Sequence, residues 1–339
     1  MRWPAADRVY IPFDLHTSVG GPSTFLKNLK GYLDKISFPY AASLAQASVI
    51  LFPIAYDMRQ LQKFKKRGGL ICQRLDGVYY PEKHGKAYEK RNAKIRQIYS
   101  ELADHIIFQS EYSRIQCFDM FGPVNEGAYS TVVNGVNTEI FHPDASRRFD
   151  KEHIQFCTTG NIRNEDMLVP VIRALDLVRS EFNFTFHVVG PVKNGKCAEL
   201  MDRAYVVHHG QCDLPQVAAI LRASDAFIYS HLNPPCPNSV LEAIAAGLPV
   251  AGYDSGAMAE LLPFSADLLA DAGRKIYHRL EDFRPGALAE KIVRLIRDYP
   301  HYRATSLGAC NRYSMDHCGR KYVDVLEALR ASLQGMGGP

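Results

Sequence analysis

The sequence predicts an α/β protein made of two doubly wound domains, each built on a parallel sheet. Short runs rich in β-branched residues alternate with segments of helical period along most of the 339 residues. This alternation is typical of a parallel sheet covered by helices. A polar stretch, FHPDASRRFDKE at 141–152, divides the runs into two sets. The length also suits two domains of ordinary size.

The predicted strands are nearly continuous apolar runs, as expected of strands buried on both faces. The first set is RVYIPFD (8–14), ASVILFP (47–53), GGLICQRLD (68–76), DHIIFQS (104–110) and STVVNGV (130–136). The second set is IQFCTTG (154–160), FTFHVVG (184–190), AYVVHHG (204–210), DAFIYSH (225–231) and PVAGYD (249–254).

Amphipathic segments such as STFLKNLKGYLDK and ALAEKIVRLIRDYP carry apolar residues at one-face spacing and predict the intervening helices. We therefore predict an N-terminal domain at 1–145, a C-terminal domain at 146–310 and a C-terminal helix at 311–339 that packs back on the N-terminal domain. Two such domains are expected to bind ligand at the carboxyl ends of their strands.

Composition indicates a soluble globular protein, with 47% apolar and 22% charged residues. No run approaches the length of a membrane span, and MRWPAADRVYIPFDL lacks the layout of a signal peptide, so a cytoplasmic location is expected. The 8 cysteines are scattered without a C-x-x-C pair or zinc spacing, and we interpret them as free thiols.

The charge is uneven. Residues 1–150 hold 20 Lys+Arg against 15 Asp+Glu, whereas 151–339 hold 20 against 21. The excess lies mainly in RQLQKFKKRGG (59–69) and EKHGKAYEKRNAKIR (82–96). These segments could meet an anionic membrane surface or a phosphate-bearing acceptor, although solvated helix faces explain them equally well. Nucleic acid is not an expected partner.

The stretch NPPCPNSVLEAIAAGLPVAGYDSGAMAELL (233–262) predicts the main site. A helix should begin near Asn238 or Ser239 and end at Gly247. Because unpaired amides and the positive end of the dipole meet at a helix start, that start can bind phosphate. Glu242, one turn in, could accept hydrogen bonds from a vicinal diol such as a ribose, or could merely stabilise the dipole.

The segment SVLEAIAAGLPVAGYDSGAMAELL closely resembles the donor-site signature of retaining glycosyltransferases of family 4. These enzymes have the GT-B fold of two Rossmann-like domains facing across a cleft. Further segments resemble the same family: HTSVGGPSTFLKNL (16–29), DHIIFQSEYSRIQCFDMFG (104–122), VVNGVNTEIFHP (132–143) and DAFIYSHLNPPCPNSVLEA (225–243). Together they extend over most of residues 8–262.

The resemblance implies transfer of a sugar, with retention of configuration, from a nucleoside-diphosphate sugar to a glycan or lipid-linked saccharide. A UDP- or GDP-sugar is the expected donor. No further cofactor is expected, and because there is no D-x-D motif, no catalytic metal is expected either.

The resemblance also assigns donor-binding roles. Glu242 matches the second glutamate of the E-x7-E motif, which holds the ribose. Asn238, Ser239 and Val240 match the backbone that meets the diphosphate. Arg163, in TTGNIRNEDM, matches the arginine that neutralises the leaving group.

Four more residues complete the predicted site. Gly20 and Gly21 match the glycine loop that approaches the donor phosphates, where a side chain would obstruct them. Asp76, at the end of an N-terminal strand, lies where the family places a polar group beside the reacting sugar, and could otherwise be a turn aspartate. Glu260 could contact the donor or cap a helix, and capping is the favoured interpretation.

Two departures from the family pattern matter. Pro234 occupies the position of the first E-x7-E glutamate, and Pro237 removes a backbone donor where the family usually has glycine. A lysine expected shortly after Arg163 is missing, and Glu165 and Asp166 stand in its neighbourhood.

These departures leave alternatives open. Lys193 or Lys196 could replace the missing cation, the donor could differ, or activity could be reduced. In the last case the chain would be a GT-B paralogue that binds a nucleotide or a partner. A sugar-nucleotide epimerase of the same fold is a third, weaker interpretation.

Overall fold

The computed structural model describes residues 8–14 and 21–335, which form two compact units. The first contains the described residues up to Gly135 together with those from Met315 on. The second is Val136–Ser314.

The first unit is built on a parallel sheet. In its described part the strands are β1 (Val9–Tyr10), β2 (Val49–Pro53), β3 (Leu70–Leu75), β4 (His105–Phe108) and β5 (Tyr129–Thr131). They lie side by side in chain order, and every pairing is parallel.

The winding of this sheet reverses at β1. Val9 forms a parallel bridge with Tyr40, and its carbonyl oxygen accepts from the amide of Ala41. The preceding carbonyl, of Arg8, accepts instead from Ser48, which leads into β2. Since successive carbonyls of a strand point to opposite sides, the chain leaves β1 on one side and returns on the other. The carboxyl end of β1 is therefore a topological switch point.

Helices cover both faces of the first sheet. They are α1 (Gly21–Lys35), α2 (Met58–Lys66), α3 (Pro81–His84), α4 (Tyr88–Gln97), which continues into a π-helical turn at Ile98–Leu102, and α5 (Glu111–Phe121). Val49 and Leu51 of β2 pack in the same apolar cluster as α1. Ile50 and Phe52 point to the opposite face, in the cluster that contains residues of α2.

The second unit has its own parallel sheet. Its described strands are β6 (Ile154–Thr159), β7 (Phe184–Val189), β8 (Val206–Gly210), β9 (Ala226–Tyr229), β10 (Val250–Tyr253) and β11 (Leu269–Ala270). Their spatial order is β11-β10-β9-β6-β7-β8, so the chain reverses direction between β6 and β9. The carboxyl ends of these two neighbours form the switch point, where ligands bind in open α/β sheets.

The helices of the second unit follow its strands. They are α6 (Val169–Val178), α7 (Gly195–Ala198), α8 (Leu214–Ala223), α9 (Asn238–Ala245), α10 (Met258–Leu261), α11 (Pro285–Arg297) and α12 (Tyr299–Ala309). Buried residues of α6 and α11 form one apolar cluster with β6 and β7, among them Ile172, Leu288, Phe156 and Phe186.

The last helix, α13 (Met315–Gly335), belongs to the first unit. Its Tyr322 and Leu326 are fully buried in the cluster of α1 and β2. Tyr322 also lies 5.2 Å, ring centre to ring centre, from Phe25 of α1. The C-terminal helix is thus part of the core of the first unit.

The domain boundaries differ from those expected at residues 145 and 310, since the second unit begins at Val136 and ends at Ser314. The amide of Val136 donates to the carbonyl of Tyr313 at 2.8 Å, and the guanidinium of Arg222 donates to the carbonyl of Ile140. The stretch 141–152 is polar because it runs along the surface. Its Arg147 is nevertheless anchored to Asp225, which is fully buried, at 2.8 Å.

The prediction of two doubly wound parallel-sheet domains is confirmed. Every predicted strand overlaps an observed one. The two-residue strand β11 was not predicted, because a segment that short carries no detectable period.

Candidate donor site of the second unit

The switch point of the second unit brings together four loops and one helix start. The loops follow β6, β7, β9 and β10, and the helix is α9. All of them lie at the carboxyl edge of one sheet, so their side chains can act on the same ligand. Arg163 and Glu242 belong to this set of segments, and Glu260 lies in α10, directly after the loop that follows β10.

The loops after β6 and β7 are locked together through their backbones. Ile162 forms a parallel bridge with Val192, and the amide of Lys193 donates to the carbonyl of Ile162 at 2.8 Å. Gly190, at φ +116°, packs so tightly that a Cβ would overlap the carbonyl of Gly160. The site therefore requires glycine here.

Arg163 follows this junction directly and is exposed. Among the described residues it has no hydrogen-bond or ion-pair partner. A guanidinium at the end of β6 with no internal partner is available to an anionic ligand.

The two acids after Arg163 are both engaged. The Glu165 carboxylate pairs with the Lys196 ammonium at 2.9 Å. Asp166 is buried and accepts from the amide of Leu232 at 2.8 Å. Its own carbonyl accepts from the Ser230 hydroxyl at 2.7 Å. Asp166 thus holds the loop after β9, and its charge points into the protein.

Helix α9 starts at Asn238, as the sequence predicts. Pro237 precedes it and provides no side-chain cap. The amide of Val240 donates to the carbonyl of Pro237 at 3.1 Å, and its side chain is fully buried. Val240 therefore contributes to the core through its side chain, and the first-turn backbone at Asn238 and Ser239 forms the start of the helix.

Glu242 lies one turn into α9 and is half-buried. Burial raises the pKa of its carboxyl group to about 8, and no other cause acts on it. None of the described residues pairs with this carboxyl. A partly desolvated carboxyl without a protein partner costs some free energy. A hydroxyl-rich ligand that reached it would recover that cost.

The loop before α9 is pinned to the turn after β10. Pro234 accepts from the amide of Ala257 at 2.9 Å through its carbonyl oxygen. Gly256, at φ +64°, packs against Pro234 so closely that any side chain would overlap it. The proline at the position of the missing acid thus has a definite packing role.

A buried polar network, unnoticed in the sequence, holds the same loop from the other side. Asn233, at φ +55°, accepts from the amide of His278 at 2.7 Å and donates to its carbonyl at 2.9 Å. The Ser255 hydroxyl accepts from the amide of Asn233 and lies 3.1 Å from Nδ1 of His278. Nε2 of His278 contacts the carbonyl of Gly273 at 2.8 Å. The three side chains tie the loops after β9, β10 and β11 together.

Glu260 lies in the single turn of α10 and is half-buried. It is close to Tyr313, whose hydroxyl donates to the carbonyl of Leu261 at 2.9 Å. Burial raises the pKa of Tyr313, and the nearby Glu260 carboxylate contributes to that rise. The helix has Ala257 at its N-cap, with no side-chain cap bond there.

The remaining predicted residues belong to the first unit. Asp76 follows β3 and forms an ion pair with Arg74, whose side chain is fully buried. Gly21 is the first residue of α1, and a Cβ there would meet no described atom within 4 Å. Gly20 lies outside the described residues. Asp76 and Gly21 therefore follow strands of the first sheet and belong to a different unit from Arg163 and Glu242.

Arg74 is the centre of a second network that the sequence did not reveal. Its guanidinium stacks on Phe25 with 3.8 Å to the ring centre and donates to Gln109 at 3.1 Å and to Asn134. It also donates to the Tyr322 hydroxyl of α13 at 3.1 Å. The local sequence around Arg74 did not predict this network, because the partners of the arginine come from distant segments of the chain.

The chain has the GT-B fold, and residues 153–298 match the family model described as "Glycosyl transferases group 1". The resemblance to this group of glycosyltransferases is thereby confirmed for residues 153–298, which contain the candidate site. Membership of family 4 in particular stays a prediction.

Solved structures with the same fold cover nearly the whole chain. Anabaena Alr3699/HepE in complex with UDP is 14% identical, with a TM-score of 0.72 over 95% of this chain and 100% of that one. Sucrose-phosphate synthase from Thermosynechococcus elongatus is 15% identical, with a TM-score of 0.68 over 92% and 78%. A glycosyltransferase from Rickettsia africae is 14% identical, with a TM-score of 0.63 over 93% and 83%. No curated protein sequence matched the chain.

Two features are absent from the residues that the structure describes. No helix there has the length and apolar character needed to cross a membrane. No group of three or more His, Cys, Asp or Glu side chains there has the arrangement of a metal site.

Proposed function

We propose that this protein is a retaining glycosyltransferase that moves a sugar from a nucleoside-diphosphate sugar to a glycan or lipid-linked saccharide. The observation that carries the proposal is Glu242, a half-buried carboxyl without a described partner at the start of α9. It lies at the switch point of a domain that matches group 1 glycosyltransferases. A ribose diol would supply the missing hydrogen bonds.

The donor in this proposal is a UDP- or GDP-sugar. UDP is bound in the structure of Anabaena Alr3699/HepE, which supports a uridine nucleotide as the first to test. The diphosphate would lie between the exposed Arg163 and the first-turn amides at Ser239, where the helix dipole adds to the attraction. Glu260, in α10 at the carboxyl edge of the same sheet, would contact the donor.

The chemistry needs no metal in this proposal. Negative charge develops on the leaving diphosphate, and Arg163 with the helix start would stabilise it there. The acceptor hydroxyl would attack from the face that the diphosphate leaves, and the leaving phosphate would take the proton. This scheme retains the configuration without a protein nucleophile.

Asp76 would then bind a sugar hydroxyl. Its carboxylate is fixed by Arg74, which is itself fully buried. A fixed, ion-paired carboxylate is better suited to accept a hydrogen bond than to move a proton. Gly20 and Gly21 would leave room for the donor phosphates.

The acceptor would dock on the first unit, which carries the basic segments. The last turn of α2 contains Lys63, Lys65 and Lys66, and that of α4 contains Lys94 and Arg96. Lys65 is paired with Asp104, whereas Lys63 and Lys66 have no described partner. We propose that this surface meets a phosphate-bearing acceptor or an anionic membrane from the cytoplasmic side.

Substitution of the two central donor residues tests the proposal. Arg163→Ala and Glu242→Ala should each lower the transfer of sugar from the preferred donor at least about 100-fold, because each removes a contact that acts on the leaving group or the ribose. Both variants should keep the circular dichroism of the wild type. Exposed Arg148, whose side chain bonds only local carbonyls, provides the control as Arg148→Ala. Full activity in both site variants would refute the site, and nucleotide binding without any transfer would favour the binding-protein alternative.

A further inference from the structure

The segment after β7 carries two lysines, of which one is ion-paired and the other is not. Lys193 and Lys196 are both exposed and only three positions apart. Their loop is joined to that of Arg163 through the bridge between Ile162 and Val192. Either lysine could in principle supply the cation that is missing after Arg163.

Lys196 is already neutralised. Its ammonium lies 2.9 Å from the carboxylate of Glu165, and no described residue other than Lys196 forms an ion pair with Glu165. A ligand that recruited Lys196 would have to break this pair and leave the acid beside an incoming anion. The Coulomb repulsion between the acid and the anion would offset the gain.

Lys193 has no such partner among the described residues. Its amide donates to the carbonyl of Ile162 at 2.8 Å, which places its backbone beside that of Arg163. Arg163 is equally exposed and equally without a described partner. Two neighbouring cations without a counter-ion repel each other, and a dianion between them would relieve that repulsion.

The acids of this region leave the two cations free. Glu165 is paired with Lys196, and the buried Asp166 accepts from the amide of Leu232 at 2.8 Å. Asp166 also lies 3.8 Å from Nε2 of His231. Neither acid forms an ion pair with Arg163 or Lys193, and both cations are exposed.

We propose that Lys193 is the second cation that binds the donor diphosphate, in place of the lysine that the sequence lacks after Arg163. This inference rests on the proposed function and assigns a further residue of that site. The ligand class is a nucleoside diphosphate, free or carrying a sugar.

The test compares two matched variants, Lys193→Met and Lys196→Met, in calorimetric titrations with UDP, GDP and UMP. Lys193→Met should lower the affinity for the preferred nucleoside diphosphate about 10-fold, as expected for the loss of one charge-assisted contact. Lys196→Met should lower it by no more than about 3-fold, because the Glu165 carboxylate that loses its partner repels the diphosphate only through screening solvent. Lys193→Arg should restore most of the affinity. All three substitutions are on the surface, and unchanged melting temperatures without ligand would verify folding.

The outcomes separate this inference from the proposal beneath it. A wild type that binds no nucleotide refutes both. If the wild type binds a nucleotide and Lys193→Met binds it with the same affinity, only the role of Lys193 is overturned. The same holds if Lys196→Met loses as much affinity as Lys193→Met, or more. An equal loss for UDP and UMP would place Lys193 at the base or ribose, and would also overturn it.

Discussion

At the scale of single residues, the proposed function depends on one carboxyl group that has no partner among the described residues. Glu242 has a pKa raised to about 8 by burial alone, against an ordinary value of 4.5. A half-buried carboxyl without a protein partner weakens the fold, whereas an apolar or amide side chain at this position would not carry that cost. We interpret the acid as serving ligand binding.

This interpretation predicts the pH dependence of stability. The unfolded state releases the Glu242 proton near pH 4.5, whereas the folded state holds it until about pH 8. The contribution of Glu242 is therefore fully present below pH 4.5, falls between these two values and is lost above about pH 8. For one proton the upper limit of the slope is about 1.4 kcal/mol per pH unit.

Urea denaturation of the wild type and Glu242→Gln from pH 5 to 9 would measure this. The free energy of unfolding of the variant should decline less with pH, and the two curves should diverge steadily up to about pH 8. Parallel curves would show that Glu242 has an ordinary pKa in the folded state, and would contradict the desolvation of this carboxyl.

At the scale of elements, the loop before α9 is held in place by contacts with two other loops. Asn233 occupies the left-handed region at φ +55° and forms two hydrogen bonds with the backbone of His278. Pro234 packs on Gly256. The helix start that would receive the diphosphate therefore has a fixed position within the second unit.

Two substitutions at Asn233 separate its two contributions. Asn233→Ala removes both hydrogen bonds and leaves a residue that resists the left-handed conformation, so unfolding should become easier by about 3 kcal/mol. Asn233→Gly removes the same bonds without the backbone strain, and should cost about 1 kcal/mol less. Chemical denaturation would give both values. A loss below about 0.5 kcal/mol in Asn233→Ala would mean that the network does not stabilise the loop.

Local patterns explain which elements the sequence could predict. The helix from Asn238 onward was predicted from the apolar run that ends at Gly247, and this is a signal contained in ten residues. The network of Asn233 joins residues 22 and 45 positions apart, and nothing local marks it. Arg74 likewise depends on Tyr322, which lies 248 positions away. Long-range pairings of this kind become visible only once the fold is known.

At the scale of the whole chain, the two units divide the charge and the proposed tasks. The basic segments lie in the first unit, and the match to group 1 glycosyltransferases lies in the second. The C-terminal helix α13 completes the first unit, where Tyr322 holds Arg74 and thereby the ion pair with Asp76. The last segment of the chain thus supports Asp76, which we propose binds a hydroxyl of the reacting sugar.

The central claim is that the second unit binds a nucleotide through Glu242. The most direct measurement is the melting temperature of the full chain with UDP, GDP, ADP, dTDP and CMP, each repeated with Glu242→Ala. A ligand at about 100 times its dissociation constant adds roughly 2.7 kcal/mol to the stability of the protein, which is a measurable shift. We predict that one nucleoside diphosphate raises the melting temperature of the wild type and leaves that of the variant unchanged. A wild type that responds to none of these nucleotides, or a variant that responds as the wild type does, would contradict the claim.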